Sequence, residues 1–156
     1  MTHEPILIVV HPGSCCGSAN LNLGRFDARA ARDGLSCELA RWNGHIAVID
    51  SDLSEELSDY PIFNRGLTDA LARNASAGFK SHRIEGDAAD DFDQAAAVTA
   101  LVADLGLSPQ ANAIKLTGAW THGEDSDSGC VDDVYRTLAA AGFSVDILDS
   151  AFLLEG

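Results

Sequence analysis

Cys130 is the side chain in this sequence best placed to act as a nucleophile. It follows Gly129 and precedes Val131, Val134, Tyr135 and Leu138, whose spacing predicts a helix ending near Gly142. Its thiol therefore stands in a first turn, where unpaired amide groups and the positive helix end favour a thiolate. The same amides would hold the oxyanion of a tetrahedral intermediate. Glu124, Asp125, Asp127, Asp132 and Asp133 crowd that neighbourhood and work the other way, raising the thiol. The bland reading is a small buried residue at the start of a helix.

His11 closes the apolar run Ile6–Val10 and opens the stretch His11-Pro-Gly-Ser-Cys-Cys-Gly-Ser18. A histidine ending a buried strand is a candidate base tuned by its surroundings. Beyond it, Ser14, Cys15, Cys16 and two glycines offer successive amides that can nest an anion, or simply make a tight turn of small residues. No Gly-Lys-Ser/Thr follows, so the loop is not a nucleotide-binding Walker A sequence. Trp120 and His122 lie ahead of Cys130, where an aromatic ring can wall a small-molecule pocket or cover the end of a sheet. The histidines at 11, 45, 82 and 122 and the acids Asp50, Asp52 and Asp125 include no helical i, i+4 ligand pair, so no metal and no cofactor is expected. Asn74-Ala-Ser76 matches a glycosylation sequon, which carries no weight in a cytoplasmic chain.

The elements that must position these residues alternate along the chain. Ile6–Val10 reads as a strand buried on both faces, and Leu21–Trp42 has near-helical spacing interrupted by Gly24 and Gly34. His45–Asp50 is a second strand, Pro61–Ala77 a helix stopped by Gly78, and Phe79–Glu85 a third strand. Asp90-Asp91 open a helix that runs to Gly106, Ala113–Thr117 is a fourth strand, and a polar loop from 118 to 129 leads to the Cys130 helix. Phe143–Leu148 is a fifth strand. This order predicts a single α/β domain over 1–156, a three-layer αβα sandwich around a mostly parallel, doubly wound, Rossmann-like sheet of five or six strands. Ligands of such sheets bind outside the carboxyl ends of the strands, which selects the loops 11–18, 50–54 and 118–130.

Bulk properties narrow the function classes. Of 156 residues, 46% are hydrophobic and 22% charged, as in an ordinary globular domain. Against 24 acids stand 10 bases, a formal charge of −14, which excludes nucleic acid and anionic membrane surfaces as expected partners. No apolar run approaches the roughly 18–20 residues of a membrane span. Nothing at the N-terminus reads as a secretory signal, and the four cysteines (15, 16, 37 and 130) are too sparse for a disulfide framework, so free thiols and a cytoplasmic location are expected.

At Lys115-Leu-Thr-Gly-Ala-Trp120, Gly129-Cys-Val131 and Ala141-Gly-Phe-Ser-Val145, the chain resembles the isochorismatase-like cysteine hydrolases. The close part covers the last 45 or so residues, and the order of elements agrees more loosely over most of the chain. The resemblance implies a six-stranded parallel sheet in a three-layer sandwich and hydrolysis of amides, imides or vinyl ethers. It carries Cys130 over as the nucleophile. The family's aspartate at the end of strand one falls on His11 here, and its lysine after strand three falls near Lys80, His82 or Arg83. Either the triad is rebuilt, with His11 as base and Lys80 or Arg83 as cation, or the fold is kept without the chemistry, as a small-molecule binding or homo-oligomeric scaffold protein. A third reading moves the working site to Cys15-Cys16, acting on electrophilic or redox-active small molecules.

Overall fold

Ile6, Leu7, Ile8, Val9 and Val10 are fully buried, as a continuous apolar strand must be when helices cover both of its faces. In the computed structural model, which describes residues 4–15, 28–50, 61–85, 94–121 and 129–153, they form the middle of the sheet. The elements are β1 (Glu4–Val10), a 3-10 turn (Pro12–Cys15), α1 (Ala28–Arg41), β2 (His45–Asp50), α2 (Pro61–Ser76), β3 (Ser81–Glu85), α3 (Gln94–Leu105), β4 (Asn112–Thr121), α4 (Cys130–Ala140), β5 (Ser144–Ile147) and β6 (Phe152–Leu153). Five strands lie parallel in the order β3-β2-β1-β4-β5, and the short β6 pairs with the far end of β4.

The pleat sorts β1 between two cores. Ile6, Ile8 and Val10 pack with Val98 and Leu101 of α3 and Val131, Val134 and Leu138 of α4. Leu7 and Val9 face the other way, onto Leu35 and Leu39 of α1 and Phe63 and Leu67 of α2. Helices therefore cover both faces of the sheet, and the architecture is the αβα sandwich that the alternating pattern predicts. Each such aliphatic side chain contributes about 1.5–3 kcal/mol by leaving water, so the two layers hold the central strand in one register.

Several boundaries differ from the sequence reading. β4 does not stop at Thr117 but runs to Thr121, because β6 pairs Ala119 with Phe152 and Thr121 with Leu153. β6 itself carries no apolar run long enough to be noticed. β3 starts at Ser81, since the Phe79 amide is taken by the Asn74 carbonyl at 3.0 Å in the turn that ends α2. Gly34 does not interrupt α1, which ends at Arg41. The stretch 21–27 and the N-terminal acids Asp90-Asp91 lie outside the described residues. Among the described residues no helix is long and apolar enough to cross a membrane.

Two residues of α2 tie it to the end of α1. The Arg73 guanidinium donates to the carbonyls of Leu39 (2.8 Å) and Trp42 (2.7 Å). Asn74 is buried, its carbonyl oxygen accepting from the Gly44 amide (2.9 Å) and its amide donating to the carbonyls of Ala70 (2.9 Å) and Trp42 (3.2 Å). A side chain so enclosed is not a glycosylation acceptor, whatever the sequon.

Candidate functional site

The strand order reverses beside β1, with β2 and β3 on one side and β4 and β5 on the other. At such a reversal the connections leave in opposite directions and open a crevice at the carboxyl edge of the sheet. β1 and β4 stay in register up to Val10 opposite Gly118. Gly118 has φ +109, and a methyl on it would lie 2.0 Å from the Val10 carbonyl oxygen, so only glycine brings the strands this close. A methyl on Gly129 would meet the Trp120 carbonyl oxygen at 2.2 Å. These two contacts bind the end of β4 to the end of β1 on one side and to the start of α4 on the other. His11, next after Val10, and Cys130, next after Gly129, thus belong to the same edge.

His11 is 5% exposed and its backbone adopts φ 47, a left-handed conformation uncommon for a residue with a side chain. Its amide donates to the Ile49 carbonyl at 2.8 Å. Burial lowers the imidazole pKa to about 4, partly offset by the negative charge of Asp50, so the ring is neutral at physiological pH. A neutral ring has a nitrogen lone pair with which to take a proton.

Asp50 is the residue of this edge that sequence reasoning did not bring to the catalytic argument. It ends β2, is 4% exposed, and is held by Arg83 of β3 through both carboxylate oxygens, with the second contact at 3.2 Å. The available signal was an acid terminating a strand whose other residues read as core. The partner could not be read, because Arg83 reaches it across the β2–β3 register, where Asp50 lies opposite Glu85. Arg83 is therefore a cation near the site, but one engaged with a carboxylate.

Lys80 is not at this edge. In a parallel sheet every strand enters from the amino edge, and Lys80 is the residue before β3 begins. Its ammonium group donates to the Leu105 carbonyl at the end of α3, and its amide donates to His45 Nδ1 at 2.9 Å. Because that nitrogen accepts, the proton of His45 sits on Nε2, 2.8 Å from Glu4 Oε2. Lys80 and His45 thus brace the end of the molecule opposite His11 and Asp50.

Cys130 opens α4, half-buried and packed against the core under β1. Gly129, the residue ahead of it, is extended and has no side chain to cap the first-turn amides. The thiol nevertheless shifts upward rather than downward, because burial penalises the thiolate and Asp133 repels it. Asp133 is itself paired with Arg136, and Asp132 is buried in the same turn. Trp120 belongs to β4 rather than to a loop, and packs partly buried against the cluster that includes Leu7, Val9 and Ala119. Ser14 and Cys15 contribute backbone to the 3-10 turn after His11, while Cys16, His122 and the acids Glu124, Asp125 and Asp127 lie outside the described residues. Among the described residues no three His, Cys, Asp or Glu side chains gather to hold a metal ion. No protein family matches the chain, and no curated protein matches it.

Proposed function

We propose that the chain is a cysteine-dependent hydrolase of a small amide, imide or ester, built on an isochorismatase-like plan in which His11 replaces an acidic base. The observation that carries this reading is the neutral, buried His11 at the carboxyl edge of β1, on the same edge as the first turn of α4 and Cys130. A thiol raised by burial is not a standing thiolate, so the nucleophile must form during attack. The Cys130 proton passes to the His11 imidazole as sulfur adds to the substrate carbonyl. The α4 amides receive the oxyanion, and the imidazolium returns the proton to the leaving amine or alcohol. Water, deprotonated by the same ring, then cleaves the thioester. With Lys80 at the other edge and Arg83 bound to Asp50, oxyanion stabilisation falls to those amides. Free Cys37 and Cys130 suit a reducing, cytoplasmic compartment.

The test is a panel of aryl amides and esters with intact-mass detection of a covalent intermediate. Cys130→Ala should abolish both turnover and the adduct, and His11→Asn should slow turnover by about 10²- to 10⁴-fold, the usual worth of a general base. Turnover that survives Cys130→Ala ends this reading. The raised thiol favours one other reading, a domain that binds a small molecule at this edge without cleaving it, alone or as a homo-oligomer. That protein would hold its ligand unchanged, equally well with or without the thiol.

A further inference from the structure

We propose that Asp50 and Arg83 form a positioning couple for His11: the carboxylate orients the imidazole, and the guanidinium masks the carboxylate's charge so that the ring stays a base. The inference rests on His11 being the base of the proposed hydrolase, but its geometry is independent of Cys130.

The couple is built from three adjacent strands. The amide of His11 donates to the carbonyl of Ile49, the residue directly before Asp50, so the backbone seats the end of β1 against the end of β2. Asp50 is anchored in turn by a two-point contact from Arg83, which fixes the plane of its carboxylate as a single contact would not. The carboxylate is buried, whereas the Arg83 side chain remains 29% exposed. The cation is thus partly hydrated while the anion stays inside. His11 keeps its left-handed backbone within this frame, the kind of conformation that persists where the surroundings determine it.

Of the elements around His11, Val10 and its apolar β1 neighbours and Thr117–Thr121 of β4 contribute no charge, the first turn of α4 carries Asp132 and Asp133 beside the Cys130 thiol, and α1, which packs on the Pro12–Cys15 turn, carries Arg29, Arg32 and Asp33 in its first two turns. Asp50 is the group whose negative charge reaches the imidazole, and it favours the protonated ring. An unmasked buried carboxylate in that position would convert the ring to imidazolium and remove its proton-accepting ability. Arg83 prevents this by pairing with Asp50.

The decisive experiment is long-range proton–nitrogen NMR of the His11 ring as a function of pH in the wild type, Asp50→Asn, Arg83→Met, Arg83→Lys and the Asp50→Asn/Arg83→Met double variant. The wild-type ring should be neutral, in one tautomer, and titrate well below the usual histidine range. Asp50→Asn should mix the tautomers and move the titration lower. Arg83→Met should move it up by one pH unit or more, and Arg83→Lys should restore it in part. Should Arg83→Met fail to fold around a bare carboxylate, the double variant carries no buried charge and should behave like Asp50→Asn. If the ring keeps its tautomer and midpoint in a folded Asp50→Asn or double variant, or if Arg83→Met shifts the midpoint downward, the couple is refuted. The readout requires no turnover, so a chain that hydrolyses nothing still decides the question.

Discussion

Burying His11 makes the fold sensitive to acid. Its folded-state pKa of about 4 lies below the 6.5 of an exposed histidine, so between those values the unfolded chain binds a proton that the folded chain does not. Stability from this group is fully present above 6.5 and is lost as pH falls through about 4, by about 3 kcal/mol in all. Asparagine tolerates the left-handed backbone and does not titrate, so urea melts of His11→Asn should lose about 2–3 kcal/mol less than wild type between pH 7 and 4. Parallel losses would show that the folded ring already carries its proton. At this scale the sequence displayed the positions of Cys130 and His11, because a helix start and a strand end follow from local pattern. It set the first-turn amides against the acids, Asp133 among them, that raise the Cys130 thiol, without showing the burial that decides between them. The first-turn amides are visible in one dimension, whereas the burial that outweighs them comes from packing against β1. Lys80 stands at the amino end of β3 whether that strand starts at Phe79 or Ser81, and it was the resemblance to the cysteine hydrolases, not the strand reading, that drew it to the site.

The elements are joined at points that periodicity does not mark. Asn74 satisfies the Gly44 amide and two carbonyls from inside α2, a site that helical spacing alone assigns to no task. Asn74→Ala takes its partner from the Gly44 amide, while the Trp42 carbonyl keeps Arg73, and should lower stability by about 1–3 kcal/mol in a urea melt, given the usual cost of an orphaned buried polar group. A loss below 1 kcal/mol would mean that water replaces the side chain. The five core strands were legible as short, largely continuous apolar runs and the four helices as apolar residues recurring at near-helical spacing. The last part of β4 was not, because Gly118 and Thr121 look like loop residues until β6, about 30 positions later in sequence, supplies a pairing partner. That extension matters to function, since it carries Trp120 and its carbonyl up against Gly129, ahead of Cys130.

For the whole molecule, charge is the dominant bulk property. A net −14 on 156 residues repels itself in the compact state, and the described ion pairs at Glu38–Arg41, Asp133–Arg136 and Lys115–Asp146 are too exposed to offset it. Raising sodium chloride from about 0.02 to 0.5 M shortens the screening length from roughly 20 to 4 Å, and should raise the urea midpoint measurably. A midpoint that falls instead would mean that attractive pairs outweigh the repulsion. The αβα class, the strand alternation and the doubly wound plan were visible from composition and order, and that plan allows β1 and β4 to be neighbours, but the pattern alone does not fix their adjacency, which is a long-range choice. That adjacency governs how the protein is made. Glu4 pairs with Asn112 and Val10 with Gly118, so the ribosome must add about a hundred residues after β1 before the central strand gains its second neighbour. Until then a nascent chain holding only the first three strands presents a fully apolar, unpaired margin along Ile6–Val10, which is open to another nascent chain. Stalled or truncated products ending before residue 112 are thus the aggregation hazard of this fold, a hazard that belongs to synthesis rather than to the finished sheet.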